Sequence, residues 1–328
     1  MFYILFLILE LNMKVSAGEH KMANELEVKI GDYQTHFGNM QEHTSLFKEF
    51  WRAFRKNRLA VFSGIILLLI IVTAVCAPLL VTHDPYRINL ARELQKLPPS
   101  ATHLLGTDDM GRDVWSRMLY GSRISLLVSF MTMIISVTVG SAYGAVSGYY
   151  GGRLDSIMMR LVDILLSLPT MFLLIILAAF VKPNALGIAL IIGFTSWMRV
   201  ARLVRGQFLS LKEQEFVEAA RALGYSNRRI IFRHILPNVT APIIVNATLM
   251  VATAILVEST LSFLGLGVQP PQFSWGSMLT NAQDLILLKE APWTAIFPGV
   301  AIFITVLSFN FFGDSLRDAL DPKLKNIK

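Results

Sequence analysis

Cysteine is almost missing from this 328-residue chain. The single residue, Cys76, lies inside an apolar run, which excludes an intramolecular disulfide and a cysteine-ligated metal site. Charge is scarce too: Asp, Glu, Lys and Arg make up 16% of the residues, against about a quarter in soluble domains. No Gly-Lys dipeptide occurs, so a Walker A loop is absent and the chain does not hydrolyse ATP by that route. The six histidines are scattered with no two at metal-ligand spacing, and no Ser/His/Asp or paired acid/base constellation stands out. The expectation is a non-catalytic chain with no metal site and no cofactor.

Apolar residues, by contrast, fill 54% of the sequence. Six segments approach the roughly 20 apolar residues needed to cross a bilayer: Leu59 to Val81, Ile124 to Val146, Leu161 to Val181, Ala185 to Leu203, Val239 to Val257 and Trp293 to Phe312. The fold class is therefore an all-α polytopic membrane protein with six transmembrane helices. The fourth span is the weakest, with Arg199 and Arg202 in its last turns, read as snorkelling to the inner surface. The net charge of +7 follows membrane orientation rather than nucleic-acid binding. With the N-terminus inside, the inner segments hold 19 Lys and Arg and the outer loops 7. Both termini are expected in the cytoplasm.

Residues 1–42 read as a disordered tail or a start codon set too far upstream, with Met13, Met22 or Met40 as alternative starts. Over 43–58, Leu46, Phe47, Phe50, Trp51 and Phe54 form one face with Lys48, Arg52, Arg55 and Lys56 beside it, the pattern of an interfacial amphipathic helix. The six-span body is 59–322, with an outer loop at 82–121 and a basic inner loop at 204–238, and 323–328 is a tail.

The inner loop is the most specific stretch. Ser210 and Glu213 have the form of a capping box, and Phe216, Ala219, Ala220 and Leu223 share one face of a helix from Leu211 to Leu223. Gly224 sits where a left-handed residue would end that helix, and Ser226 would cap a second one that Pro237 ends. Two short helices joined at a glycine, with a small-residue face, make a docking surface. Glu218-Ala219-Ala220, Gly224 and Leu236-Pro237 stand at the spacing of the EAA loop of ATP-binding-cassette (ABC) importer permeases, which this stretch resembles. His234 replaces the pattern's Ile, although Arg233 to Asn238 resembles the form used in the dipeptide/oligopeptide/nickel subfamily.

Two further stretches carry the same resemblance. His103 to Val114 (HLLGTDDMGRDV) is similar to that subfamily's LGTDxxGRDV signature, and so is Glu258 to Pro271, with Trp275-Gly276 after it. On the residues alone, the clustered Asp108, Asp109 and Asp113 read as a metal site or as a capped surface turn; Arg112 among them favours the turn. Gly140, Gly144 and Gly148 recur every four residues and permit close helix packing, and Pro169 can kink the third span. Asp163 and Glu258, ionisable residues at the ends of spans, are translocation-path candidates.

The resemblance implies a type I importer permease fold, in the position of the second permease subunit. It implies as partners a homologous permease, two ABC ATPases and an extracytoplasmic binding protein, in the cell membrane and without nucleic acid. It assigns ATPase coupling to Glu218, Ala219, Ala220, Gly224, Leu236 and Pro237. The implied cargo is peptide, with nickel or another small solute as the alternative. An ion-coupled secondary transporter using Asp163 and Glu258 as its relay is the rival of another class; no internal repeat supports it.

Overall fold

The computed structural model describes residues 57–320. The interfacial helix expected over 43–58 lies, but for its last two residues, outside that range. Among the described residues the regular structure is all helical, apart from one isolated bridge between Thr107 and Asp113. Among the described residues five helices are long and apolar enough to cross a membrane, or six if a sharply bent pair counts as one span.

Helix α1, Arg58–Val75, starts at Asn57, whose side-chain oxygen accepts from the Leu59 and Ala60 amides. The Asn57 amide also donates to Ser315 Oγ at 3.1 Å, tying this cap to the last helix. A short α2, Ala77–Leu80, follows. The next long helix, α3, runs Val114–Tyr150. Its 37 residues span about 55 Å, well beyond a hydrocarbon core of about 30 Å. The sequence placed its start ten residues late, because the first turns carry Arg117 and Arg123 among polar residues.

Helices α4, Gly152–Ser167, and α5, Thr170–Phe180, meet at 88°. The third span expected over Leu161 to Val181 is thus broken in its middle. Leu168, preceding Pro169, is extended at φ −78°, ψ 136°, because the proline ring disfavours the helical region for its predecessor. Neither half alone is a comfortable span: the eleven residues of α5 cover about 16 Å.

Helix α6, Ala185–Leu211, is capped by Asn184 and lies along α3. The seam between them is made of small residues. Thr132, Ser136, Gly140, Gly144 and Gly148 are buried on one stripe of α3. A Cβ at Gly140 would come within 2.6 Å of the Trp197 carbonyl oxygen, and one at Gly144 within 2.4 Å of that of Ala201. Farther along, Ser136 Oγ donates to the Gly193 carbonyl at 3.0 Å. In lipid, apolar side chains gain little from leaving one another's company, so close backbone approach and buried hydroxyl bonds supply the adhesion.

After α6 come α7, Glu215–Ala222, and α8, Asn227–Arg229, which passes through a π-helical turn at Ile230–Ile235 into α9, Leu236–Phe263. The beginning of α7 corrects the expected capping box. Ser210 is still inside α6, and Gln214 precedes α7 without a side-chain cap. Pro237 does not end a helix either. It sits in the first turn of α9, just past the π turn. There the Leu236 amide bonds back to Ile231, five residues away, and the widened turn absorbs the missing proline N–H. The chain closes with α10, Trp275–Met278, α11, Leu285–Glu290, and α12, Trp293–Leu320, which packs on α1 and α9.

Candidate functional site: the helical hairpin at one end of the bundle

At one end of the bundle, α7 folds back on the α8–π segment. Val217 and Ala220 point inward, where they join Ile230, Ile231, Ile235 and Val239 in a core with Val204 and Phe208 of α6 and Tyr149 of α3. The hairpin is therefore seated on two long helices. The sequence grouped Ala220 with Phe216, Ala219 and Leu223; burial separates it from them. Ala220 is buried, whereas Phe216, Ala219 and Leu223 are exposed, Leu223 at 71%.

Gly224 ends α7 with φ +74°. The Tyr225 amide reaches the Ala220 carbonyl at 3.1 Å and the Gly224 amide that of Arg221 at 2.9 Å, a Schellman closure that needs a left-handed residue at this point. A Cβ on Gly224 would meet no neighbour within 4 Å. The backbone conformation, rather than space, selects glycine there. Around the turn, Arg229 stacks over Tyr225 at 4.1 Å, Tyr225 lies against His234 with ring centres 5.6 Å apart, and Tyr149 Oη donates to Asn227 at 2.8 Å. His234, the departure from the pattern's Ile, thus has an aromatic partner. Glu218 and Pro237 are exposed, and Leu236 is half-buried as the first residue of α9.

Two ion pairs brace the same end. Arg205 of α6 grips Asp155 of α4 with both Nε and Nη2, the latter at 2.6 Å. Arg202 pairs with Asp163 of α4, both side chains half-exposed. Neither pair was readable beforehand, because each joins elements about forty or fifty residues apart.

The second path candidate, Glu258, lies far from Asp163 in environment. It is fully buried, and its Oε1 accepts from Ser262 Oγ at 2.7 Å and Ser274 Oγ at 2.6 Å. Ser274 also caps α10, whose Trp275 amide reaches Ser125 of α3. The arrangement links α9, the connection after it and α3. At that end the loop of 97–113 is closely laced. Asp108 accepts from the Met110 and Arg112 amides at 2.9 Å and from Arg112 Nε at 2.7 Å, and Asp113 caps α3 through the Ser116 amide. A cavity of about 300 Å³ opens beside it, with Asp108, Arg117 and Phe273 in its wall. Asp108 and Asp113 thus take part in the turn and the helix cap, and two of the scattered histidines converge on Asp113.

Residues 140–326 match the family described as the inner membrane component of binding-protein-dependent transport systems. That stretch is more than half of the chain. The chain belongs to this permease family. Residues 45–99 match the N-terminal transmembrane domain of oligopeptide transport permease C. Among curated relatives, the dipeptide transport system permease protein DppC of Alkalihalophilus pseudofirmus is 44% identical over 282 residues, covering 86% of this chain and 91% of the relative. The oligopeptide transport system permease protein OppC of Bacillus subtilis is 43% identical over 281 residues, covering 86% and 91%. The glutathione transport system permease protein GsiD of Pectobacterium atrosepticum is 41% identical over 280 residues, covering 85% and 92%. In fold, the permease is similar to a chain of the inward-facing MetNI methionine ABC transporter, with a TM-score of 0.51, 17% identity, and coverage of 63% of this chain and 97% of that one. The permease is accordingly an integral inner-membrane subunit of an importer-type system, with the type I ABC importer permease fold.

Proposed function

We propose that this permease forms half of a peptide translocation path and takes its driving force from partner ABC ATPases through α7. The observation that carries the reading is the division of α7 into two faces. Val217 and Ala220 fix it to α3 and α6, while Phe216, Ala219 and Leu223 remain exposed beside Glu218. An anchored helix with an unpartnered apolar face is suited to receive a cleft on another subunit and to pass its movement into the bundle as a rigid body. The cargo reading rests on the names of the relatives, which concern dipeptides, oligopeptides and glutathione, all peptides or peptide-like solutes. A second, homologous permease completes the path, and an extracytoplasmic binding protein delivers the cargo. The α7 end faces the cytoplasm and the loop of 97–113 faces outward, as the bias of basic residues requires. Cysteines at Asp109 and Asn227, in a Cys76→Ser background, should then label from opposite sides of sealed vesicles.

Gly224→Asp tests the coupling. A side chain at φ +74° meets resistance of about 1–2 kcal/mol, least for Asn and Asp, with nothing nearby to clash with, so the added charge is what Gly224→Asp chiefly tests. The variant should insert at normal abundance, fail to retain the ATPases on affinity capture, and lose ATP-driven uptake of a labelled dipeptide. Gly224→Ala should lose less, since it adds no charge. Normal uptake by Gly224→Asp would show that α7 is not the coupling element.

A further inference from the structure

The loop end of the bundle holds a set of side chains that the coupling proposal does not involve. His83 follows α2, His103 lies in the loop of 97–113, and Asp113 caps α3. Their ligand atoms all lie within 4.8 Å of one another. We propose that His83, His103 and Asp113 bind a divalent ion of the zinc class, which staples the exit of the first span and the loop to the start of α3.

The spacing suits that chemistry. Asp113 Oδ1 is 2.9 Å from His103 Nδ1 and 3.8 Å from His83 Nδ1. Two ligands on a tetrahedral zinc at about 2.0–2.1 Å stand about 3.3 Å apart, so these distances bracket the requirement. The two imidazoles lie nearly parallel, with ring centres 4.5 Å apart, and both direct Nδ1 to the same carboxylate oxygen. The outer partners are built as a metal site needs them. Asp113 Oδ2 is held by the Ser116 amide at 2.8 Å and the Ser116 hydroxyl at 2.7 Å, leaving Oδ1 for the ion. The same Ser116 hydroxyl accepts from the His83 amide at 3.2 Å, fixing the backbone of the second ligand. Thr82 Oγ1, 3.1 Å from His83 Nδ1, is placed at the edge of the cluster.

Exposure runs in a gradient through the three side chains, from 1% at Asp113 through 15% at His103 to 44% at His83. That gradient gives an ion a way in and leaves a fourth position for water. A hydrogen bond between His103 and Asp113 would account for those two residues alone. That bond does not involve His83, whose ring stacks on His103 and whose Nδ1 lies 3.1 Å from Thr82 Oγ1 and 3.8 Å from the same Asp113 oxygen. The ion takes the place of the proton shared between His103 Nδ1 and Asp113 Oδ1. Two imidazoles with one carboxylate favour zinc or a neighbouring transition metal over calcium or magnesium, which prefer all-oxygen shells.

The test uses the full chain, purified and reconstituted in lipid nanodiscs, titrated with zinc chloride against a chromophoric chelator. Wild type should bind one equivalent that His83→Ala binds at least about tenfold more weakly. His103→Ala should behave the same way, and His234→Ala, at the opposite end, should match wild type. Because the His83 side chain is half-exposed and caps no helix, its loss should leave the fold intact. Zinc should also slow amide hydrogen exchange across 97–113 in wild type and not in His83→Ala. The proposal is overturned if wild type and His83→Ala titrate alike, or if wild type takes up no saturable equivalent. Neither readout involves transport, so failure here leaves the coupling role of α7 standing.

Discussion

At one end of α3, the loop of 97–113 buries Asp108 and Asp113 and meets their oxygens with backbone amides, hydroxyls and two arginines. At the other, α7 leaves Phe216 and Leu223 in the open. Both segments lie at the ends of the bundle, and both resemble short family signatures. Their physics differs. The aspartate loop closes on itself: nearly every strong polar group in it has a partner within the chain. The hairpin is closed only on its inner face. A segment that satisfies itself is built for fixed shape; the uncovered apolar face of α7 is the one that the coupling proposal fills with another subunit.

The sharpest way to break this contrast is Asp108→Ala. Asp108 is 2% exposed and receives two amides and the Arg112 guanidinium, with Arg117 at 3.7 Å. Arg117 is itself largely buried, its guanidinium 4.2 Å from the Phe273 ring. Removing the carboxylate leaves buried cations and amides without their acceptor, a loss of about 3–5 kcal/mol for a broken buried pair. The variant should show a markedly lower thermal midpoint in detergent and reduced membrane abundance. Asp108→Asn, which keeps an acceptor for the amides, should fall between it and wild type. A wild-type midpoint for Asp108→Ala would mean that the loop's internal bonding does not determine its shape.

Leu223→Ser probes the opposite end. With Leu223 71% exposed, this change should alter stability by no more than about 0.5 kcal/mol. Under the coupling proposal it should nonetheless weaken capture of the ATPases. Loss of stability comparable to that of Asp108→Ala would show that the exposed face is part of the subunit's own core, and the contrast between the two ends would vanish.

What could be read beforehand follows the range of each cause. Gly224 announced a left-handed residue, and φ +74° is what stands there, since the demand comes from the adjoining backbone. Gly140, Gly144 and Gly148 announced close packing, and α6 fills that space. The rest of the seam, Thr132 and Ser136, went unnoticed because serine and threonine do not signal packing until a partner helix is known. Pro169 signalled a kink; its 88° angle depends on how α4 and α5 pack. Pro237 misled, because a π turn one step earlier removes the conflict that ends helices. His83 and His103 are twenty residues apart and meet only through the fold, as do Arg205 and Asp155.

The smallest effect should come from the most conspicuous surface ion pair. Lys96 Nζ lies 2.6 Å from Glu290 Oε2, and the neighbouring carboxylate holds the ammonium above its ordinary value of 10.5. The sign follows: whatever the pair contributes is fully present at neutral pH and disappears as pH rises through that elevated value. Exposed pairs of this kind rarely matter, because water screens them and two long side chains must be ordered. The backbone is the better reason for interest in this position. Lys96 has φ +55°, and its amide donates to the Asp108 carbonyl at 3.0 Å. Asparagine tolerates that conformation better than lysine, and a β-branched residue tolerates it worst. Lys96→Asn should therefore leave the thermal midpoint at neutral pH unchanged or slightly raised, despite losing the ion pair, while Lys96→Val should lower it. If Lys96→Asn proved as damaging as Asp108→Ala, the loop would depend on its surface charges, and its internal hydrogen bonds would no longer explain its shape.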